Sequence, residues 1–229
     1  MDSWKTVCAG ILVACLLAAG PAALAGGDSD GKVPLKLDLP LPVYKGTPKN
    51  IPITPYMEKP SDKPRKPIQV PEGVKNVAFK KPVSASDEEP IIGELEMVTD
   101  GDKRGSDGSY VELGPGCQWA QIDLEALYKL YAIVVWHYHG EGRVYHDFVV
   151  QVADDPDFIT NVRTVYNNDY DNSSGLGIGK DKEYFEDYQG RLIQLDGIEA
   201  RYVRLYSKGS TASDLNHYTE VEVYGLPAK

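Results

Sequence analysis

The segment VVWHYHGEGRVYHD, residues 134 to 147, holds three of the chain's four histidines, His137, His139 and His146, beside Arg143 and Asp147. Imidazole can ligate a metal, move a proton, or simply donate and accept hydrogen bonds. On a strand His137 and His139 share one face. With Gly140-Glu141-Gly142 as the turn of a hairpin, His139 lies opposite Arg143 and His137 opposite Tyr145, while His146 falls on the other face near Trp136. Zinc needs three or four convergent ligands, and this count supplies two, with Glu141 or Asp147 to complete a set. Three readings stand: a metal centre of a His-dependent metalloenzyme, a binding surface, or a hairpin tip that is polar because it is solvated.

As a binding surface the set has a definite chemistry. Sugars present fixed hydroxyl patterns and one apolar ring face, so they call for donors, acceptors and an aromatic ring. His137, His139, Arg143, Tyr145 and Asp147 supply all three, and the loop SKGSTASDLNHY (207–218) adds Asp214, Asn216 and His217. TDGDKRGSDG (99–108) offers the hard oxygen ligands Asp100, Asp102 and Asp107, which suit Ca²⁺; it lacks EF-hand spacing and competes with an ordinary Asp-Gly turn. GLGIGK (175–180) lacks the phosphate-loop spacing, because Asp181 follows Lys180. No G-x-S-x-G elbow is present, and the many carboxylates reflect an acidic domain rather than a glycosidase pair.

The elements that must hold these groups are legible by composition. Residues 1–25 carry a short apolar run and an A-x-A end at Ala23 and Ala25, the pattern of a secretory signal peptide cut after Ala25; a lipid anchor at Cys15 is the rival reading. The run is too short to span a membrane. Such a start predicts a secreted, periplasmic or extracellular protein. The mature chain keeps only Cys117, so no internal disulfide forms, and that thiol reads as a packed small residue.

Ten of 16 prolines fall between Pro34 and Pro71, which predicts an extended linker over 26–75, with Tyr44, Ile53 and Tyr56 able to dock. That segment carries nine basic and six acidic side chains, net +3, whereas residues 76–229 carry 14 and 27, net −13. So acidic a domain is a poor nucleic-acid binder, because phosphate contacts need a positive field. Strands are predicted at 119–124, 131–139, 143–154, 162–167, 191–195, 201–207 and 219–225, with no long amphipathic helix. Along 148–152, Phe148, Val150 and Val152 face one way. Seven or eight short strands in about 150 residues predict an all-β sandwich or jelly roll.

The order of segments from 76 to 225 resembles the discoidin, or coagulation-factor C-type, domain of the galactose-binding-like superfamily. NVAFKKPVSAS is similar to its opening strand and loop, VTDGD to its Asp-Gly segment, WAQIDL to its W-x-Q-x-D-L strand, VYHDFVVQVADDPDF to the hairpin partner, and ARYVRLY with EVEVYG to the two closing strands. The resemblance implies a jelly roll of about eight strands that binds glycans or lipid head groups through loops at one end and performs no catalysis. It also implies a structural Ca²⁺ held by Asp100, Asp102 and Glu220. Two departures keep the ligand open: no terminal disulfide is possible, and the loop 167–190 is long. The expected partner is a carbohydrate or glycoconjugate, and the alternative is another cell-envelope protein displayed on the proline spacer.

Overall fold

The computed structural model describes residues 31–61 and 63–228. The signal-peptide reading over 1–25, the anchor at Cys15 and the first linker residues lie outside them. Among the described residues no helix is long and apolar enough to cross a membrane.

The architecture is all-β, an antiparallel sandwich. In chain order the strands are β1 (Lys32–Pro34), β2 (Gln69–Pro71), β3 (Lys75–Asn76), β4 (Val83–Ala85), β5 (Val111–Pro115), β6 (Gln118–Trp136), β7 (Val149–Ala153), β8 (Arg163–Asn167), β9 (Arg191–Ser207), β10 (Leu215–Tyr218) and β11 (Glu220–Pro227). One short 3₁₀ turn covers Leu95–Thr99. The main sheet runs β3-β11-β6-β9-β7-β8, with β4 also on β6; β5 pairs β10, and β1 pairs β2.

Two predicted pairs of strands are single long ones. Residues 119–124 and 131–139 fall within or just beyond β6, and 191–195 with 201–207 form β9. Register shifts between Asp123 and Tyr128 and between Leu130 and Ala132 bend the β6–β9 ladder without ending it. Bulges of this kind turn a strand while preserving its hydrogen bonds on either side.

The alternation expected around Phe148 holds. Phe148, Val150 and Val152 join Ile122, Ile133, Val135, Val203, Leu205, Val221 and Val223 in the main core. The continuous apolar run of β6 has a further cause. Ile133 and Val135 face that core, whereas Ala132, Val134 and Trp136 face a second cluster with Leu35, Val70 and Tyr224. A strand buried on both faces loses its polar alternation.

The second cluster shows that the described part of the proline-rich segment is a strap rather than a free spacer. Leu35 is buried and its amide donates to the Ile68 carbonyl (2.9 Å). Arg65 donates to the carbonyls of Gly190 (2.7 Å) and Gln189 (2.8 Å). Met57, 4% exposed, bridges to Glu183. Of the three residues expected to dock, Tyr44 bonds the Glu186 carbonyl and Tyr56 stacks on Tyr170 (4.0 Å), while Ile53 stays exposed. Proline removed the helix and ladder options, but apolar side chains spaced along an extended chain still found a face to cover. Each fully buried Leu or Val there contributes about 1.5–3 kcal/mol. Gly190 permits the close fit: its φ is +61°, and a Cβ would meet the Trp136 ring at 2.8 Å.

Candidate functional site

The hairpin expected over 134–147 is absent. β6 ends at Trp136, and its neighbours are β11 and β9, not β7. Residues 137–148 form a loop instead, which zips against the loop after β9: the His146 amide donates to Gly209 O (3.0 Å), the Lys208 amide to His146 O (2.9 Å) and the Thr211 amide to Val144 O (2.9 Å). The 134–147 and 207–218 segments are therefore neighbours, although the predicted cross-strand pairs do not form.

Loop packing buries most of the polar set that the sequence suggested for the surface. His137 and His139 are 0% exposed, Tyr145 2%, Asn216 0% and His217 2%. His137 stacks on Tyr145 (4.3 Å) and pairs through Nδ1 with Glu186 (3.0 Å). His139 turns elsewhere, its Nε2 against the Lys103 carbonyl (2.8 Å). Gly105 makes room for it, because a Cβ there would meet the imidazole at 2.6 Å. The two histidines thus do not share a metal. Among the described residues the one group of three potential metal-ligating side chains within 4.8 Å is Asp147, Asp169 and Asp171, with no histidine in it.

Asn216 is a structural clamp. Its amide donates to Gly114 O (2.8 Å) and Gly116 O (3.0 Å), and its carbonyl oxygen accepts from Ser207 Oγ (2.8 Å) and the Gly209 amide (2.9 Å). Asp214 is exposed on the loop tip. Asp147 accepts from Ser173 Oγ and lies 3.9 Å from Lys208 Nζ. Burial raises its carboxyl above the usual range.

Beside these buried groups lies a half-buried cluster that centres on Arg143, whose side chain is 12% exposed. Its guanidinium lies over the Tyr138 ring (4.7 Å), and Tyr138 meets Tyr110 (4.8 Å). His217 sits edge-on beneath Tyr110 (5.3 Å) and pairs with Glu112 (2.8 Å). Tyr138 donates to Asp107 (2.7 Å); burial, with that carboxylate, pushes its hydroxyl up to about 12. Burial, with Arg143 and His137 facing it, lowers His217 to about 4, so the ring is neutral at neutral pH. Burial also raises Glu112, opposed by Arg143.

Several polar atoms here lack partners: Arg143 Nη1, Tyr145 Oη, His137 Nε2, His217 Nδ1 and Glu186 Oε1. Buried polar groups without partners are costly, and each calls for an explanation. Sequence reasoning reached Arg143, Tyr145, His137 and His217 but missed Tyr110, Glu112, Tyr138 and Glu186. Tyr138 was legible as the residue between the two histidines. Glu112 and Tyr110 lie on or beside β5, whose short VELGP segment gave no clear strand signal.

The expected calcium trio separates. The Arg104 guanidinium forks the Asp102 carboxylate and holds it below the usual carboxylate range. Asp100 Oδ1 accepts from the Asp102 amide (2.7 Å). Glu220 is fully buried; its Oε2 accepts from the Gly101 amide (3.0 Å), while its Oε1 and the neighbouring Thr219 Oγ1 have no partner. Burial pushes the Glu220 carboxyl up to about 9, with Glu222 and Asp100 adding to the rise. Glu220 and Asp100 thus fit a hard cation, and Asp102 is committed to Arg104.

No protein-family model matches the chain, and no curated protein does. Among solved structures it is similar to the family 89 glycoside hydrolase of Clostridium perfringens, at 18% identity and TM-score 0.49; the match covers 67% of this chain and 15% of that one. The chain therefore spans about 15% of that enzyme's length. It is similar to chitosan-binding module 1 of a chitosanase/glucanase from Paenibacillus sp. IK-5, at 22% identity and TM-score 0.44, covering 66% and 99% of the two chains. A fucose-binding module of Streptococcus pneumoniae matches at 18% identity and TM-score 0.44, covering 66% and 97%. The latter two are carbohydrate-binding modules, and the first is an enzyme that the chain matches over a small part of that enzyme's length.

Proposed function

We propose that this protein is a secreted, non-catalytic module that binds carbohydrate through the Tyr110–Tyr138–Arg143 patch. The observation that carries the reading is the Arg143 guanidinium stacked on Tyr138 (4.7 Å) with an unpartnered Nη1. The mutually tilted Tyr110 and Tyr138 rings supply aromatic surface for the apolar face of a sugar, and the guanidinium, Asp107 and Glu141 offer donors and acceptors to its hydroxyls. His217 and Glu112 support the patch from below. His137 and Tyr145 back it from the interior, and Asp147, Asp214 and Asn216 are not part of it.

A structural Ca²⁺ belongs to the same proposal, held by Glu220 and Asp100 with neighbouring backbone oxygens. The orphaned Glu220 Oε1 supports it, since a buried carboxylate oxygen without a donor suits a bound cation. Such an ion would fix the loop that begins at Asp100. It would take no part in chemistry.

The test is a glycan array with affinity electrophoresis, with and without Ca²⁺, on the wild type and Arg143→Ala. The reading expects saturable binding to a subset of glycans and its loss in the variant. No binding to any glycan under either condition removes it. A pull-down from envelope extract that returns one protein and no polysaccharide would favour the envelope-partner alternative instead.

A further inference from the structure

A cavity of about 650 Å³ lies between the proline-rich strap and the segment that leads into β9. It shares no lining residue with the Arg143 patch. Tyr184, 8% exposed, lines it, with the Arg191 guanidinium 3.7 Å over its ring. The Tyr184 hydroxyl and Arg191 Nε have no hydrogen-bond partner. Arg65 is anchored on the backbone of Gln189 and Gly190. The strap adds Lys45, Lys59 and Lys63, all exposed.

The charge of this cavity runs against that of the chain. Its described lining carries five cations, the three lysines, Arg65 and Arg191, against two acids, Glu58 and Asp187, in a protein of net charge −10. Glu58 is already engaged by Arg191 (3.0 Å). The three lysines make no ion pair among the described residues, where lysine pairs involve Lys81, Lys103, Lys129 and Lys208. A concave site lined by one sign of charge concentrates counter-ions of the other. Its volume falls within the range of small-ligand sites, about 300–1,000 Å³. An extended polyanion such as nucleic acid would meet the acidic remainder of the domain, so the ligand must be short. Tyr44, Tyr188 and Phe185 line the same walls and offer ring faces.

We infer that this strap-walled cavity is a second binding site, which takes an acidic saccharide whose carboxylate or sulfate meets Lys45, Lys59 and Lys63. It rests on the carbohydrate reading only for the ligand being a sugar. The strap wall, with all three lysines, lies outside the region that resembles the discoidin domain, and most of the opposite wall belongs to the long loop 167–190 in which the chain departs from it.

Calorimetric titration of the full chain decides it, with digalacturonate and a sulfated disaccharide as probes and neutral digalactose as control. The acidic sugars are expected to bind at least about tenfold tighter than digalactose, and to weaken as ionic strength rises from ~0.05 to ~0.5 M. Lys45→Gln/Lys59→Gln/Lys63→Gln, which alters only exposed side chains, should weaken them by about tenfold or more, and Arg143→Ala should leave them unchanged. Absence of saturable binding by both acidic probes, binding indifferent to the triple substitution, or equal loss in Arg143→Ala overturns the inference. Binding by only one probe tells carboxylate from sulfate and supports the site. A neutral-glycan array without hits would remove the Arg143 patch alone and leave the acidic titrations to decide the cavity.

Discussion

Two flanks of β6 are covered in opposite ways. On one, the strap lays Leu35 and Val70 over Trp136 and Val134, apolar on apolar. Just past the strand's end, loops fold polar groups onto one another, and His137, Tyr145, Arg143 and Glu186 are left with atoms that lack partners. The first covering stabilises by removing apolar surface from water. The second costs free energy unless each polar atom is paired. The difference teaches that burial by itself does not stabilise: the strap's covering adds to stability, and the loops' covering does so only as far as its polar atoms are paired.

The largest effect should come from the apolar flank. Trp136→Ala is expected to cost about 3–5 kcal/mol, because it empties the centre of the second cluster and removes the Nε1–H bond to the Tyr188 carbonyl (2.9 Å). Chemical denaturation measures it, and a loss under ~1 kcal/mol would mean that the strap contributes little.

Calcium should come next. At a hundredfold excess over its dissociation constant, a cation bound only by the folded state adds about 2.7 kcal/mol. Thermal melts with Ca²⁺ and then with chelator should show that rise and its reversal, and Glu220→Gln should abolish both. An unchanged melting temperature in wild type would remove the ion from the proposal.

The third prediction uses pH. The fold holds His217 near 4, below the 6.5 of an unfolded histidine, so folding favours the neutral ring. Its contribution is fully present above about 6.5 and is lost as pH falls toward 4. Melting temperatures from pH 7 to pH 4 should therefore fall less steeply in His217→Gln than in wild type. Parallel slopes would show that His217 is protonated inside the fold.

Arg143→Ala should have the smallest effect on stability and a clear effect on binding. Its ion-pair partner Glu141 is 60% exposed, so that pair is screened by solvent and its loss should change stability by about 1 kcal/mol or less. Glycan affinity should fall about tenfold or more, close to 1.4 kcal/mol. A variant that unfolds but retains affinity would reverse the comparison and place Arg143 with the scaffold.

The fold was largely legible. Alternation along Phe148–Val152 and the five ordered motifs led to an all-β sandwich, and the sheet is built from those segments. β5 and β10 escaped because VELGP and LNHY are short and lack clear alternation. The site was legible by composition but not by exposure. Arg143 keeps 12% of its side chain exposed, whereas His137, His139 and Asn216 are sealed, because residues 137–148 pack as a loop instead of projecting as a hairpin.

Local sequence determined what local physics controls: strands where β-formers alternate, no helix where prolines crowd, an acidic domain behind a basic segment. It could not determine which surfaces meet. That Leu35 covers β6, that Arg104 takes Asp102 away from Glu220, and that Tyr138 supplies the ring beside Arg143 all depend on contacts between residues far apart in the chain or turned by an irregular loop. Such contacts are selected by the free energy of the whole packed molecule, in which burial decides between partners that the sequence leaves equal.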